Sequence, residues 1–179
     1  MAIASTILPA ARGAFLEGPY PAMTGGFGEP TCRHCHFDRP PTEPRGAVSL
    51  SGIPVHYTPG ARYLVAVLLR RPDLTRGGFQ FSARFADGPR AGRQAGLLEP
   101  TDDRVQTVAA PTGDVRYIQH NKAGAETATS GELRWVVRWT APADGANDVV
   151  FHVAANASNA DDSPLGDYVY TAEAHSRVP

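Results

Sequence analysis

Lysine is all but missing from this chain: Lys122 stands alone, and arginine carries the rest of the positive side-chain charge. The 17 basic and 18 acidic residues nearly cancel, and no run of five bases occurs, so the electrostatic footprint of a nucleic-acid-binding protein is absent. No eighteen consecutive apolar residues occur either, so no segment is expected to cross a bilayer as a helix. A sustained 3.6-residue apolar stripe, a nucleophile elbow, a phosphate-cradling glycine loop and a zinc-protease helix are all lacking. The acidic stretches "DGAND" and "NADDSPLGD" lack the spacing of an EF-hand and read as turns. Only two methionines, Met1 and Met23, and two cysteines, Cys32 and Cys35, are present.

What is plentiful is turn chemistry. Eighteen glycines and sixteen prolines recur at short intervals between stretches of β-branched and aromatic residues. "RYLVAVLLR" (62–70) is apolar on both faces and reads as a mid-sheet strand buried on two sides. "GELRWVVRW" (131–139) alternates Leu133, Trp135, Val137 and Trp139 against Glu132, Arg134, Val136 and Arg138, as in a strand with one face to the core and one to water. Further strands are expected at 47–53, 79–85, 95–99, 104–110, 115–120, 148–155 and 166–175. Eight or nine short strands with turns between them predict an all-β fold, a two-sheet antiparallel sandwich over residues 46–179. Residues 1–14 are mildly apolar and rich in small residues, and read as a signal remnant or an N-terminal arm. Residues 15–45 are rich in proline and glycine, without periodicity, and too long for a casual connection, which marks them as a functional segment.

Both cysteines lie in that segment, in Cys32-Arg33-His34-Cys35-His36. A Cys-x-x-Cys-His run is the pattern by which a c-type haem is attached. Thiols three positions apart reach the two vinyl groups of the porphyrin, and the next residue offers an imidazole to the iron. Cys32 and Cys35 are thus the expected thioether positions and His36 the proximal axial ligand, holding one covalent haem c. Three other chemistries compete. A thioredoxin-like couple needs a βαβ setting that is absent; a zinc site through Cys32, Cys35 and His34 or His36 lacks a second ligand pair; a Cys32–Cys35 disulfide would suit a small secreted domain.

The ordered motifs "TGGFGEPTCRHCH", "VSLSGIPVHYTPGARYLVAVLL", "GFQFSAR", "AGLL", "YIQHNKAG", "WVVRWTAP" and "VVFHVAANASN…GDYVYT" resemble the bacterial Reeler-like sandwich known as the choice-of-anchor V domain, from about Thr24 to Tyr170. The resemblance implies a secreted all-β domain preceded by a glycine-rich segment ending in Thr-Cys-x-x-Cys-His. Two departures stand out. Gly25-Gly26-Phe27-Gly28-Glu29 replaces the usual Gly-Ala-Pro-Gly-Glu, and no sorting tail follows His175-Ser176-Arg177.

A low-spin haem needs a sixth ligand, usually His or Met. His120, at the end of a predicted strand where the resemblance also places Tyr-Ile-x-His, is the first candidate, and Met23, nine residues before Cys32, the alternative. His152 reads as a core-edge histidine or a site residue, and His34 sits within the attachment loop. Phe27 and Phe37 flank the motif and are expected to contact the haem, while Arg33 and Arg39 could pair with its propionates. The expected function is an extracytoplasmic monohaem cytochrome, periplasmic or at the cell surface, that transfers single electrons and is not an enzyme. Its expected partners are redox proteins: a membrane or multihaem complex, or further copies of itself. The alternative is a haem-free adhesion or structural sandwich closed by the Cys32–Cys35 disulfide.

Overall fold

The computed structural model describes residues 16–41, 43–127 and 130–178, so the expected signal remnant at 1–14 lies outside the described residues. Nine strands are formed among them: β1 (Ala47–Ser51), β2 (Arg62–Arg70), β3 (Arg76–Phe85), β4 (Leu97–Pro100), β5 (Val105–Ala109), β6 (Arg116–His120), β7 (Glu132–Thr140), β8 (Val149–Ser158) and β9 (Tyr168–Ser176). One helical turn, α1 (Lys122–Ala125), follows β6, with the Asn121 side chain accepting from the Gly124 amide as its N-cap. The strands form two antiparallel sheets, ordered β1-β2-β7-β4 and β5-β6-β3-β8-β9. No helix among the described residues is long and apolar enough to cross a membrane.

The period-two alternation decides which side chains meet between the sheets. Leu133, Trp135, Val137 and Trp139 from β7 face Phe79 and Phe81 from β3 and Phe151 and Val153 from β8 in one core. Phe79 and Trp135 lie 4.5 Å apart between centroids, and Trp139 meets Phe151 edge-on at 4.8 Å. Each indole N–H is satisfied by a loop carbonyl, Trp135 on Gly124 at 2.8 Å and Trp139 on Ala95 at 3.0 Å, so the largest core residues bury no orphan donor. The sheets differ from expectation on the outer face of β2. It is central in its sheet, but Leu64 is 60% exposed, because none of the described residues covers the four-stranded sheet there.

The outer face of the five-stranded sheet behaves in the opposite way. Gln80, Ser82 and Arg84 of β3 and Gln119 of β6 are polar yet buried, because the irregular segment 16–41 lies over them. Here β3 and β6 are in register only over Gln80↔Gln119 and Phe81↔Ile118. Beyond that point the His120 ring takes the place of the ladder and lies over Gly78, where a Cβ would fall 2.1 Å from His120 Cε1.

Candidate functional site

Two polar anchors fix the segment to the sheet. The buried Gln80 side chain accepts from the Met23 amide at 2.6 Å and donates to the Tyr20 carbonyl at 2.9 Å and to Gln119 Oε1 at 2.8 Å. Glu29 is the second anchor. Its carboxylate accepts from Thr24 Oγ1 at 2.6 Å, from the Tyr117 hydroxyl at 2.5 Å and from the buried Arg84 guanidinium. Burial opposes ionisation of Glu29, but the bonds from Thr24, Tyr117 and Arg84 outweigh it and hold its pKa below the ordinary value. Between the anchors, Thr24 and Thr31 bridge and the Gly25 amide donates to the Pro30 carbonyl at 3.0 Å, turning the chain tightly. Gly26 packs on the His152 ring, where a Cβ would lie 2.6 Å from the ring atoms.

Immediately after this turn, the Thr31 hydroxyl accepts from the Arg33 amide at 3.2 Å and caps a 3₁₀ turn over Cys32–His34. The amides of Cys35 and His36 both donate to the Cys32 carbonyl, at 3.2 and 3.0 Å, which curls the motif around one peptide oxygen. Arg33 closes the loop behind it by donating to the carbonyls of Arg39 at 2.5 Å and Phe37 at 3.4 Å.

The curl opens onto a half-open cleft at the end of the sandwich where β3, β6, β8 and α1 meet. Cys32, Cys35, His36, Met23 and His120 all line it, with Leu16, Pro19, Tyr20, Phe79 and Ala125 supplying apolar wall. Residues far apart in the chain are thereby brought to one enclosure. His34 lines it as well. Phe27 and Phe37 do not: Phe27 stands edge-on to His152 at 5.6 Å, and Phe37 is 62% exposed. Nor do Arg33 and Arg39, the first engaged with its own loop and the second 5.5 Å from the Tyr168 ring. The arginine on the cleft is Arg76, paired with Glu126 at 3.0 Å and Asp162 at 2.8 Å. His152 lies away from the cleft, its Nε2 3.0 Å from Glu173.

The two cleft histidines are held differently. His36 Nδ1 lies 2.8 Å from Asp167 Oδ2, and the Asp167 side chain is wholly buried. A carboxylate at that distance takes the Nδ1 proton as its hydrogen bond, leaving the lone pair on Nε2. His120 is instead engaged through Nδ1 with the backbone of Phe79, 3.0 Å from its amide and 3.2 Å from its carbonyl. Asp167 was not anticipated from sequence, and neither were Asn156, which donates to it at 3.1 Å, or the Gln80 and Glu29 anchors. Asp167 and Asn156 both lie within the "VVFHVAANASN…GDYVYT" motif, but no spacing rule ties them to a cysteine segment at the other end of the chain.

The donor set separates the competing chemistries. Among the described residues no three His, Cys, Asp or Glu side chains converge as a metal-ion site would require. Burial pushes the Cys32 thiol up to about 12, the reverse of the depressed value an exchange nucleophile needs. Both cysteines are unbridged. Two thiols, an imidazole held through Nδ1 by a carboxylate and a largely apolar cleft do fit a covalently attached haem, which asks the protein for thioethers and one or two axial ligands.

The comparisons bear on the fold. The Reelin-N domain of F-spondin superposes with a TM-score of 0.50 at 18% identity, over 81% of this chain and 96% of that domain. This chain has a Reeler-like fold. A human F-spondin Reeler fragment matches at 20% identity over 74% of this chain and 89% of that one, with a TM-score of 0.47. A cohesin module from Clostridium perfringens matches at 12% identity over 74% of this chain and 95% of its own, also at 0.47. No family model and no curated protein sequence matches the chain.

Proposed function

We propose that this Reeler-like sandwich is a monohaem c-type cytochrome acting outside the cytoplasm, passing single electrons between protein partners. The observation that carries the reading is the His36–Asp167 contact beside Cys32 and Cys35 on one apolar cleft. Cys32 and Cys35 would hold the group covalently, and His36 Nε2 would be its axial donor. A bound haem c supplies a one-electron iron couple whose potential follows from its axial ligands and its burial. The apolar wall lowers the local dielectric, and the anchors at Gln80 and Glu29 hold the attachment segment against a rigid sheet. Both His120 and Met23 reach the cleft as sixth-ligand candidates. The Reeler-like fold and the resemblance to secreted bacterial sandwiches support a periplasmic or cell-surface location. One haem per chain makes a multihaem complex, or copies of the chain itself, the fitting kind of partner.

A haem-free adhesion module closed by a Cys32–Cys35 disulfide is the second reading, favoured by the fold likeness to a domain of F-spondin. One experiment separates the two. The chain is produced with c-type maturation machinery, and its reduced-minus-oxidised visible spectrum is recorded beside a haem-stained denaturing gel. A sharp α-band with haem retained on the unfolded chain supports the cytochrome. A colourless product from a host that loads a control cytochrome refutes it.

A further inference from the structure

We propose that Asp167 is a positioning residue that fixes the ring of His36 and sets the reduction potential of the site, an inference that rests on the cytochrome reading. Asp167 is fully buried immediately before β9, far in sequence from the motif it serves. Three donors converge on its carboxylate: His36 Nδ1 at 2.8 Å and Asn156 Nδ2 at 3.1 Å on Oδ2, and the Asn159 amide at 3.0 Å on Oδ1. Among the described residues no arginine or lysine pairs with it, so His36 is the group through which its negative charge is felt.

The chemical consequence runs through the imidazole. A carboxylate taking the Nδ1 proton fixes the tautomer, orients the ring and raises the basicity of Nε2. A more basic donor beside a buried negative charge favours the more positive oxidation state of a bound iron. The potential of a haem held there would therefore be lowered, whichever second axial ligand it had.

Asp167→Asn is the informative variant, because it keeps the shape and an acceptor for His36 Nδ1–H while removing the charge. With its oxygen kept toward His36 and Asn156, the new NH₂ faces the Asn159 amide and gives up that one hydrogen bond. Two readouts are needed. In chain made without haem, long-range ¹⁵N NMR of His36 is expected to show the Nδ1–H tautomer, lost in Asp167→Ala; an Nε2–H tautomer in the wild type overturns the proposal. In haem-loaded protein, the midpoint potential of Asp167→Asn is expected to rise by at least a tenfold change in the ferric-to-ferrous ratio, about 59 mV for one electron, with Asp167→Glu closer to wild type. An unchanged potential overturns the tuning role. A wild type that takes up no haem also removes that role, while the tautomer measurement still decides whether Asp167 fixes His36.

Discussion

Glu29→Gln tests whether the attachment segment is clamped to the sheet by charge. The substitution preserves shape and an acceptor oxygen for Thr24 or Tyr117, but leaves the Arg84 guanidinium, its side chain only 5% exposed, without its carboxylate. Removing one partner of a buried pair costs about 3–5 kcal/mol. Arg84 keeps the Tyr117 hydroxyl at 2.8 Å, which argues for the lower end, about 3 kcal/mol or roughly a hundredfold in the closing equilibrium of the segment. Hydrogen exchange at the amides of residues 24–36 reads that equilibrium directly, and urea unfolding reads whatever part is global. The pH dependence gives a second check. The pKa of Glu29 is lowered by folding, so its contribution is complete above the ordinary value of 4.5 and is lost as pH falls through the folded value. The gap between wild type and Glu29→Gln is therefore expected at neutral pH and should close in acid. Exchange within about 0.5 kcal/mol of wild type at pH 7, the size of a neutral surface change, refutes the clamp.

Other outcomes follow from the same geometry. Gly78→Ala places a methyl 2.1 Å from His120 Cε1, so the ring must leave its seat against Phe79; a loss of about 1–3 kcal/mol by thermal melting is expected, together with a changed haem spectrum if His120 is the sixth ligand. Cys32→Ser with Cys35→Ser is expected to abolish haem on a denaturing gel while leaving the sandwich folded, since neither thiol belongs to the core; loss of far-ultraviolet strand signal would contradict that separation. His120→Ala and Met23→Leu should differ in effect on the reduced spectrum, and the variant that exposes a site for added imidazole names the sixth ligand. Equal, unchanged spectra in both would remove both candidates.

How much of this was legible from sequence depended on the distance over which the chain must be read. Local alternation placed all nine strands to within a few residues, because a half-buried strand writes its own period; β7, with Leu133, Trp135, Val137 and Trp139 inward, is the clearest case. β2 shows the limit of that signal, since Leu64 is apolar but none of the described residues lies over it, and a sequence does not record which sheet face goes uncovered. The Cys32–His36 motif was visible because its spacing is chemistry within one turn. Its proximity to Met23 and His120 in one cleft depends on tertiary folding, as does the absence of Phe27 and Phe37 from that cleft. Asp167, Gln80 and Arg84 went unnoticed for the same reason. Each is a polar residue in an otherwise ordinary strand or turn, and its bond to the covering segment exists only once the domain has folded.

The clamp also imposes an order in time. The cysteine segment leaves the ribosome first, yet Gln80, Arg84 and Tyr117 that pin it, and Asp167 that holds its histidine, are made progressively later. A nascent chain therefore presents Cys32-Arg33-His34-Cys35-His36 as open peptide until nearly the whole sandwich has been synthesised. If haem is attached to those five residues, as proposed, the attaching enzyme would find them most open before β9 closes the fold.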